Sequence, residues 1–583
     1  GLDFVTVLTA AMAWFIVGNV MLMNVTERRR GLALLRLVGA TGATIRRLVV
    51  REAAVLGGVG AALGAAGGIV AARPIASGIS RALDVPSAAV AATPGLVAAA
   101  VAAGVCGAVA AAWWPARDAA TVDLLEGLAG ASRPPAPGAA VRSLVAAAVL
   151  VASAAGVLGA VITGWLPPRA AVAASVLMLV AFVTVTAAAL GPVAAGLGAL
   201  VPRRWRTEAA LAIGQITRRS VRTALTSGVL VVAVTNGIGL GHAIRDNVDD
   251  IRGWFGRALR ADWILTRAGP RAPSGPVDSG AAAAIRAVPG VERVEGLGIA
   301  GGRVAGSACV VVARDVPDDE PLPFAAVMVP ESEVRAALAR GEAVAGTLLA
   351  RRTGIRPGDE VVVDVLGRST RIRVAALVID YTSGGGSLVL RSDAAARLLG
   401  LGADNVLLVR AAAGRMEDLR SPLAEAARDR GFLLRSFADE RRRVDGMVDG
   451  VVGSLWAILV LGFGVGSLGV ANTVTMNVVE QTRSLGLLRA VGMTGGQVSR
   501  MIVLQSAAIG AAGGMIGLVG GLTTSAFIQA ASQPLLGHPI RFTFRPDIVA
   551  GTLAATLAVS VLAAWLPARR ALRLDVLDAI TIE

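Results

Sequence analysis

Glu27, Arg30 and Arg36 stand among Leu34, Leu35 and Gly39 in one short segment, and Glu480, Arg483 and Arg489 stand among Leu487, Leu488 and Gly492 in another. Laid together without a gap, Met23 to Gly39 and Met476 to Gly492 share Met, Asn, Val, Glu, Arg, three Leu, a second Arg, Val and Gly. Thr41-Gly42 and Arg47 recur as Thr494-Gly495 and Arg500. No nucleophile is paired with a base in either copy, so the chemistry is recognition. Leu34, Leu35 and Val38, like Leu487, Leu488 and Val491, fall on one stripe of a helix whose remaining positions are polar. Gly39 and Gly492 suit the C-terminal cap of such a helix. A helix of this kind can anchor a chain at a membrane surface or dock a partner. Anchoring requires Arg but not a repeated Glu and Gly, and the repetition favours docking.

A second match closes each copy. Ala112-Trp113-Trp114-Pro115-Ala116-Arg117 parallels Ala564-Trp565-Leu566-Pro567-Ala568-Arg569, and Asp123 and Leu125 parallel Asp575 and Leu577. Both copies have one order: an apolar span, the Glu-to-Gly segment, a span, a short loop, a span, and Trp-x-Pro-Ala-Arg. Two three-helix modules of equal topology follow.

The spans are set by composition. The 583 residues are 55% hydrophobic and 4% aromatic, with mean hydropathy +0.67. A bilayer core roughly 30 Å thick demands unbroken apolar runs of about 20 residues, and nine are found: Phe4 to Met23, Ala53 to Ala72, Pro94 to Trp114, Leu144 to Trp165, Ala170 to Leu190, Ala224 to Ile244, Gly450 to Ala471, Val503 to Ile528 and Ile548 to Leu566. Backbone groups in lipid must be satisfied within each segment, which makes them helices. One set of short connections, from Arg28 to Arg573, holds 22 arginines, and the alternate set holds 5. The positive-inside bias places the first set, and the C-terminus, in the cytoplasm, with the chain start outside. The net charge of +15 then belongs mostly to cytoplasmic loops facing anionic lipid and partner subunits. It is no argument for nucleic acid.

Residues 245–449 carry 29 Arg against 28 Asp and Glu and only short apolar runs, as a soluble domain on the outer face would. Strands are predicted at Asp262 to Thr266, Val291 to Glu295, Asn405 to Arg410 and Phe432 to Phe437, with helices at Ser279 to Val288 and Met416 to Arg430. Glu360 to Val365 and Thr370 to Val378 alternate around Leu366-Gly367-Arg368 as a hairpin. The domain is α+β. Gly384-Gly385-Gly386 is a turn, since no helix starts after it to make a phosphate cradle. Asp439 to Arg443 reads as helix running on into the seventh span.

Other reactive side chains are scattered. Every basic residue in the Lys and Arg total is Arg, and a P-loop needs Lys to reach the β- and γ-phosphates. An ATPase must therefore be another chain. His242 and His538 lack a third ligand or a base partner and read as interface residues. Cys106 and Cys309 form no CxxC pair. Arg51 and Glu52 open an apolar run, where snorkelling or partner contact accounts for them. Arg203, Arg204, Arg206, Arg218, Arg219 and Arg222 flank an amphipathic stretch from Glu208 to Thr217, read as surface anchoring before a partner site. Gly510 to Gly521 suits close helix packing. Near Gly1 there is no basic n-region or cleavage site, so the first span is not read as a signal peptide. No catalytic, cofactor or metal residue is expected.

The motif from Glu27-x-x-Arg30 through Leu34-Leu35-Arg36-Leu37-Val38-Gly39, its partner ending Leu488-Arg489-Ala490-Val491-Gly492, and the Trp-x-Pro-Ala-Arg exit resemble the FtsX-like permease family, including the MacB and LolC/LolE types called type VII ABC transporters. The resemblance covers most of the chain and is weakest in the outer domain. It implies a polytopic α-helical membrane protein of about nine spans in a bacterial plasma membrane, with one α+β extracellular domain of the MacB periplasmic-core kind. Residues 1–130 are then a first permease module, 131–222 a two-helix linker, 223–244 the leading span of the second module, 245–449 the extracellular domain and 450–583 the second module. Family modules begin with a span and an extracellular domain. The first module here starts at its second span, and a leading helix and outer domain are expected upstream of Gly1.

The resemblance further implies a cytoplasmic ABC ATPase, acting as a dimer and holding the ATP and Mg, docked on Glu27, Arg30, Leu34, Leu35, Arg36 and Gly39 and on Glu480, Arg483, Leu487, Leu488, Arg489 and Gly492. Its cycle would move the outer domain to export or extract lipid, lipoprotein or peptide. The alternatives are a regulator of extracellular cell-wall hydrolases and a secondary transporter, for which the intramembrane charges or broken helices are lacking.

Overall fold

The computed structural model describes the chain except residues 1–9, 84–92, 121–137, 268–279 and 573–583, scattered positions within 11–27 and 443–481, and the short gaps 168–169, 219, 259–260, 403–404, 537–539 and 541. The described chain divides into two units. One comprises 1–243, 450–528 and 542–583, and the other 244–449 with 529–541.

The first unit is helical. Helix α1 covers Arg29–Leu37, α2 Gly42–Leu83, α3 Pro94–Ala120, α4 Ala139–Ile162, α5 Ala171–Ala199, α6 Arg206–Arg218 and α7 Ser220–Ala258. Among the described residues seven helices are long and apolar enough to cross a membrane: Gly42–Ala72, Pro94–Ala120, Ala140–Ile162, Ala171–Ala199, Ser227–Gly256, Gly495–Ser532 and Pro546–Arg569. The two other expected spans, Phe4 to Met23 and Gly450 to Ala471, lie largely outside the described residues. Several helices overrun the expected spans. Helix α2 begins at Gly42, 11 residues before the apolar run at Ala53, because Arg46, Arg47 and Arg51 are compatible with helix but not with lipid. The amphipathic stretch before α7 is helix α6. Its Ala209, Ala212 and Ile216 are buried, the last two in a core shared with Leu190 and Ala194 of α5, so this stripe packs on protein.

The second unit is built on strands: β1 Trp263–Arg267, β2 Val291–Val304, β3 Ser307–Arg314, β4 Ala326–Val327, β5 Ala343–Gly346, β6 Glu360–Val365, β7 Arg368–Ile379, β8 Ser387–Leu390, β9 Val406–Ala411 and β10 Phe432–Ser436. Helices α8 Ala281–Arg286, α9 Glu331–Ala339, α10 Thr347–Thr353, α11 Ser392–Leu399 and α12 Arg420–Arg428 lie between them. The chain then returns to the first unit with α13 Thr482–Ala490, α14 Gly495–Leu536 and α15 Pro546–Leu572.

Strands β2, β3, β8, β5, β7 and β6 pair in that order, and β6 pairs back with β2, which closes a six-stranded barrel. Val304, Val311, Ala345, Val363, Val374 and Leu388 belong to its main core. Closure requires β6 to lie tightly on β2. A Cβ at Gly302 would stand 2.8 Å from the Asp364 carbonyl oxygen, so glycine is needed at that crossing. The predicted hairpin is present, with Leu366 (φ 51°) and Gly367 (φ 79°) both left-handed as a two-residue type I′ turn demands. Ala305 and Gly306 turn β2 into β3 in the same way.

A lateral layer, β10-β1-β9-β2, carries α8 and α12, whose Ile285 and Leu423 pack on Leu265 and Val409. Here the predicted strands and helices appear, with α8 and α12 shorter than expected. Gly384-Gly385-Gly386 ends a short 3₁₀ turn and leads into strand β8, not a helix. Burial in the barrel pushes the Cys309 thiol up to about 11, leaving a poor nucleophile at neutral pH.

Candidate functional site

The repeated segments fold into the same local structure. At the end of α1 the N–H of Gly39 donates to the Arg36 carbonyl and that of Ala40 to Leu35, both at 3.0 Å. At the end of α13 the N–H of Gly492 donates to Arg489 and that of Met493 to Leu488, again at 3.0 Å. These are Schellman caps, and Gly39 (φ 101°) and Gly492 (φ 104°) occupy the left-handed position. A side chain there costs about 1–2 kcal/mol. Gly492→Val is therefore expected to fray the last turn of α13, read as faster amide exchange at positions 492 and 493 with α14 unchanged.

A threonine starts the next helix in each copy. Thr41 Oγ1 accepts from the Thr44 N–H at 3.2 Å, and Thr494 Oγ1 from the Gln497 N–H at 3.3 Å while Gln497 Oε1 accepts from the Thr494 N–H at 2.8 Å. The second pair is a capping box. Glycine and threonine together fix the reversal between the short helix and the long one.

Each short helix is seated by an inward leucine at a matching position. Leu32 packs with Ile45, Val49 and Ala116. Leu485, its counterpart, packs with Val498, Ile502 and Ala568. The residues singled out from the sequence lie on the other side: Leu34, Leu35 and Val38 are exposed, as are Leu487 and Val491, with Val38 at 89% and Val491 at 85%. Leu488 is half-buried against the second module's core. The apolar stripe read from periodicity is thus the presented face, and the leucine that seats each helix is a residue the stripe left out. Arg36 and Arg489 are half-buried; Gly39 and Gly492 are exposed. Arg30 and Arg483 fall on α1 and α13, and Glu27 and Glu480 lie outside the described residues.

The first module holds a polar contact whose charged residues the second does not repeat. Glu52 holds Arg28 at 3.3 Å and accepts from Asn24 at 3.3 Å, which accounts for its place at the head of an apolar run. The positions of Arg28 and Glu52 are taken by Gln481 and Gln505 in the second copy, so charge is lost from both members together. At the exit, Arg569 lies 3.7 Å from the Trp565 ring centroid, and Arg46 lies 5.8 Å from that of Trp113. Pro115 and Pro567 sit buried within α3 and α15 at matching positions.

Within the second unit, the end of α7 carries a ladder of contacts. Asp246 accepts from Gln529 at 2.8 Å, Asp250 accepts from the Tyr381 hydroxyl, and Arg252 holds Asp445 at 2.8 Å and Asp449 at 2.9 Å. Trp254 meets Tyr381 edge-on and Phe255 stacks on Phe437. Burial, helped by Asp250, raises the Tyr381 pKa, so the phenol keeps the proton it donates. No motif marked these residues; Tyr381 is the single tyrosine of the chain. In the first unit His242 is fully buried, with Nδ1 donating to the Ile238 carbonyl at 2.8 Å and Nε2 accepting from the Arg545 N–H at 3.1 Å. Both ring nitrogens are engaged within the fold. His538 lies outside the described residues.

The family model for the FtsX-like permease C-terminal domain matches residues 4–124 and again 456–576. The macrolide export ATP-binding/permease protein MacB of Wolinella succinogenes is 32% identical over 133 residues, 23% of this chain and 19% of that protein. The uncharacterized ABC transporter permease YknZ of Bacillus subtilis is 28% identical over 141 residues, 24% of this chain and 33% of its own length. An uncharacterized ABC transporter permease of Methanocaldococcus jannaschii is 22% identical over 234 residues, 39% and 58% of the two chains. The matched stretches thus span between a fifth and somewhat over half the length of these relatives. With the domain present in each half, and with its apolar helices, this chain is a multi-pass membrane protein of the FtsX/MacB-like ABC permease family.

Proposed function

We propose that this chain is the membrane partner of a separate cytoplasmic ABC ATPase, and that it converts nucleotide-driven movement of α1 and α13 into movement of the barrel domain outside the membrane. The observation that carries this reading is the duplicated docking element: two short helices with one cap geometry, each seated by an inward leucine and presenting Leu34 and Val38 or Leu487 and Val491. An exposed apolar knob beside Arg36 or Arg489 suits a protein groove with an acidic rim. Helix α7 runs without a break from Ser220 to Ala258, and its last three turns hold the ladder to Gln529, Tyr381, Asp445 and Asp449. A stiff helix so fastened is suited to carrying displacement, and no substrate need pass between the spans.

In this reading the loops at α1 and α13 are cytoplasmic, the barrel domain is extracellular, and the ATP and Mg sit on the partner, a dimer matching the two docking elements. Macrolide export is in the name of one relative, and export or extraction of lipid, lipoprotein or peptide is the activity proposed here. The test is co-purification of the nanodisc-embedded chain with the ATPase encoded beside it. The Arg36→Glu, Arg489→Glu double variant should lose the ATPase at least tenfold more readily than the parent. Undiminished binding and turnover would remove the docking assignment.

A further inference from the structure

Helices α7 and α14 lie side by side in one constant register, with their chain directions parallel. A Cβ placed on Gly513 would meet the Leu230 Cβ at 3.3 Å and the Ser227 carbonyl oxygen at 3.4 Å. One on Gly517 would meet the Val234 Cβ at 2.6 Å and the Val231 carbonyl oxygen at 3.1 Å. One on Gly521 would meet the Ile238 Cβ at 2.6 Å and the Thr235 carbonyl oxygen at 3.2 Å. The same contact thus returns every four residues, an aliphatic side chain from α7 against a glycine of α14. A neighbouring row fits in the opposite sense. Gly239 of α7 receives Thr524 of α14, whose Cβ stands 3.3 Å from an added carbon, and one turn earlier the Gly520 position lies 2.6 Å from the Thr235 hydroxyl oxygen.

An interface that repeats every four residues on both partners fits again when one of them is displaced by four residues, one turn or about 6 Å. Only one direction is open here. Displaced towards the C-terminal end of α14, Leu230 takes the place of Val234 on Gly517, Val234 takes that of Ile238 on Gly521, and Ile238 arrives at Ser525, the next residue of the row. Thr235 comes to stand opposite Thr524, in the place of Gly239. Displaced the other way, Leu230 runs into Ile509, a buried branched side chain where the row of glycines ends.

Close packing accounts for the glycines but not for the hydroxyls along this seam. Thr556 and Ser560 of α15 donate to carbonyls four residues back at 2.7 and 2.8 Å, the usual arrangement of a hydroxyl in an apolar helix. Ser227, Thr524 and Ser525 are at most 3% exposed and, among the described residues, their hydroxyls have no partner. Thr235 reaches only the Gly517 carbonyl, at 3.4 Å. A buried donor left without an acceptor is costly, and the displacement brings Thr235 and Thr524 hydroxyl to hydroxyl. What holds the present register is a polar contact. Asp246 accepts from Gln529 at 2.8 Å, two turns beyond Ile238 and Gly521 in the same row.

We propose that α7 is a one-turn ratchet on α14. The Asp246–Gln529 contact is its catch, and release of the catch lets α7 step about 6 Å towards the C-terminal end of α14, each aliphatic side chain entering the next small-residue seat. Interlocked side chains give two discrete positions in place of a continuous slide. The ratchet deepens the role of α7 as the carrier of displacement and rests on that reading for its source of force. Its catch and its seats belong to this chain alone.

The test traps the register with disulfides to one common position in the full chain in lipid nanodiscs, the linked peptides being quantified by mass spectrometry after oxidation. Thr524→Cys with Gly239→Cys reports the present register, and Thr524→Cys with Thr235→Cys the displaced one. Thr524→Cys with Val231→Cys, a further turn away, controls for general loosening. With the catch intact and no nucleotide, only the first pair should link. Gln529→Ala, or Asp246→Asn where the truncation impairs assembly, should raise the second link about tenfold, the population shift that one lost hydrogen bond supplies. The third should stay at background. ATP with the bound ATPase should raise the second link with the catch in place. A second link that stays at background in both catch variants overturns the ratchet, as does a third link that rises with it. A displaced link gained on releasing the catch but not on adding ATP keeps the ratchet and removes the ATPase as its drive, so the two readings fail separately.

Discussion

Gly517→Leu is expected to destroy the packing of the helical unit, while Gly64→Leu, the same substitution at the matching position of the other repeat, leaves the chain folded. At Gly517 the first added carbon already stands 2.6 Å from the Val234 Cβ and 3.1 Å from the Val231 carbonyl oxygen, so α7 must move as a body. Overpacking of a close-packed interior costs about 1–3 kcal/mol, and here backbone obstructs as well as side chain. At Gly64 nothing among the described residues stands within 4 Å, and replacing glycine improves helix propensity by roughly 0.5–1 kcal/mol. The check is thermal unfolding of both variants in one detergent, followed by the monodisperse fraction on size-exclusion chromatography. Equal losses in the two variants would show that the repeats are packed alike and that the space beside Gly64 is filled.

A second large effect is expected from Val38→Asp combined with Val491→Asp. These side chains are the most exposed large apolar groups of the segments that end α1 and α13 and contribute little to the fold. Burying a valine against a partner is worth about 1.5–3 kcal/mol, and about 1.4 kcal/mol is tenfold in affinity. Loss of both knobs, with a carboxylate left to desolvate at each, should weaken ATPase binding by at least a hundredfold while leaving the unfolding temperature unchanged. Titration of the ATPase onto nanodisc-embedded chain measures it. Affinity within twofold of the parent would show that the valines do not meet the partner, and unequal single variants would show that the modules are loaded unequally.

The features legible in the sequence are those set by local rules. The left-handed glycines at 39 and 492 follow from an apolar stripe that ends in Gly, and their caps carry matching hydrogen bonds. The β6–β7 hairpin follows from period-two alternation around Leu366-Gly367. The barrel was hidden for an equally physical reason. Strands β5 and β8 are four residues each and buried throughout, so they show no alternation, and they join the ring through β5–β7 and β3–β8, both parallel and non-local. Leu32 and Leu485 could have been found: each recurs at the same distance before its glycine, but both lie off the stripe that drew attention. Glu52 gave no such signal, since its partners Asn24 and Arg28 are brought to it only by the packing of α2 on the preceding helical segment.

The repeat itself was determined by the sequence alone, because Met23 to Gly39 and Met476 to Gly492 align without a gap on shared Met, Asn, Val, Glu, Arg, Leu and Gly, and composition together with helical periodicity made each copy a set of spans around one short amphipathic helix. What covers each copy was decided only by tertiary structure. Gly60, Gly64 and Gly68 read the same as Gly513, Gly517 and Gly521, yet among the described residues nothing meets the first stripe while α7 closes the second. A glycine records only that a side chain is missing; what enters the space depends on which helix packing has brought there.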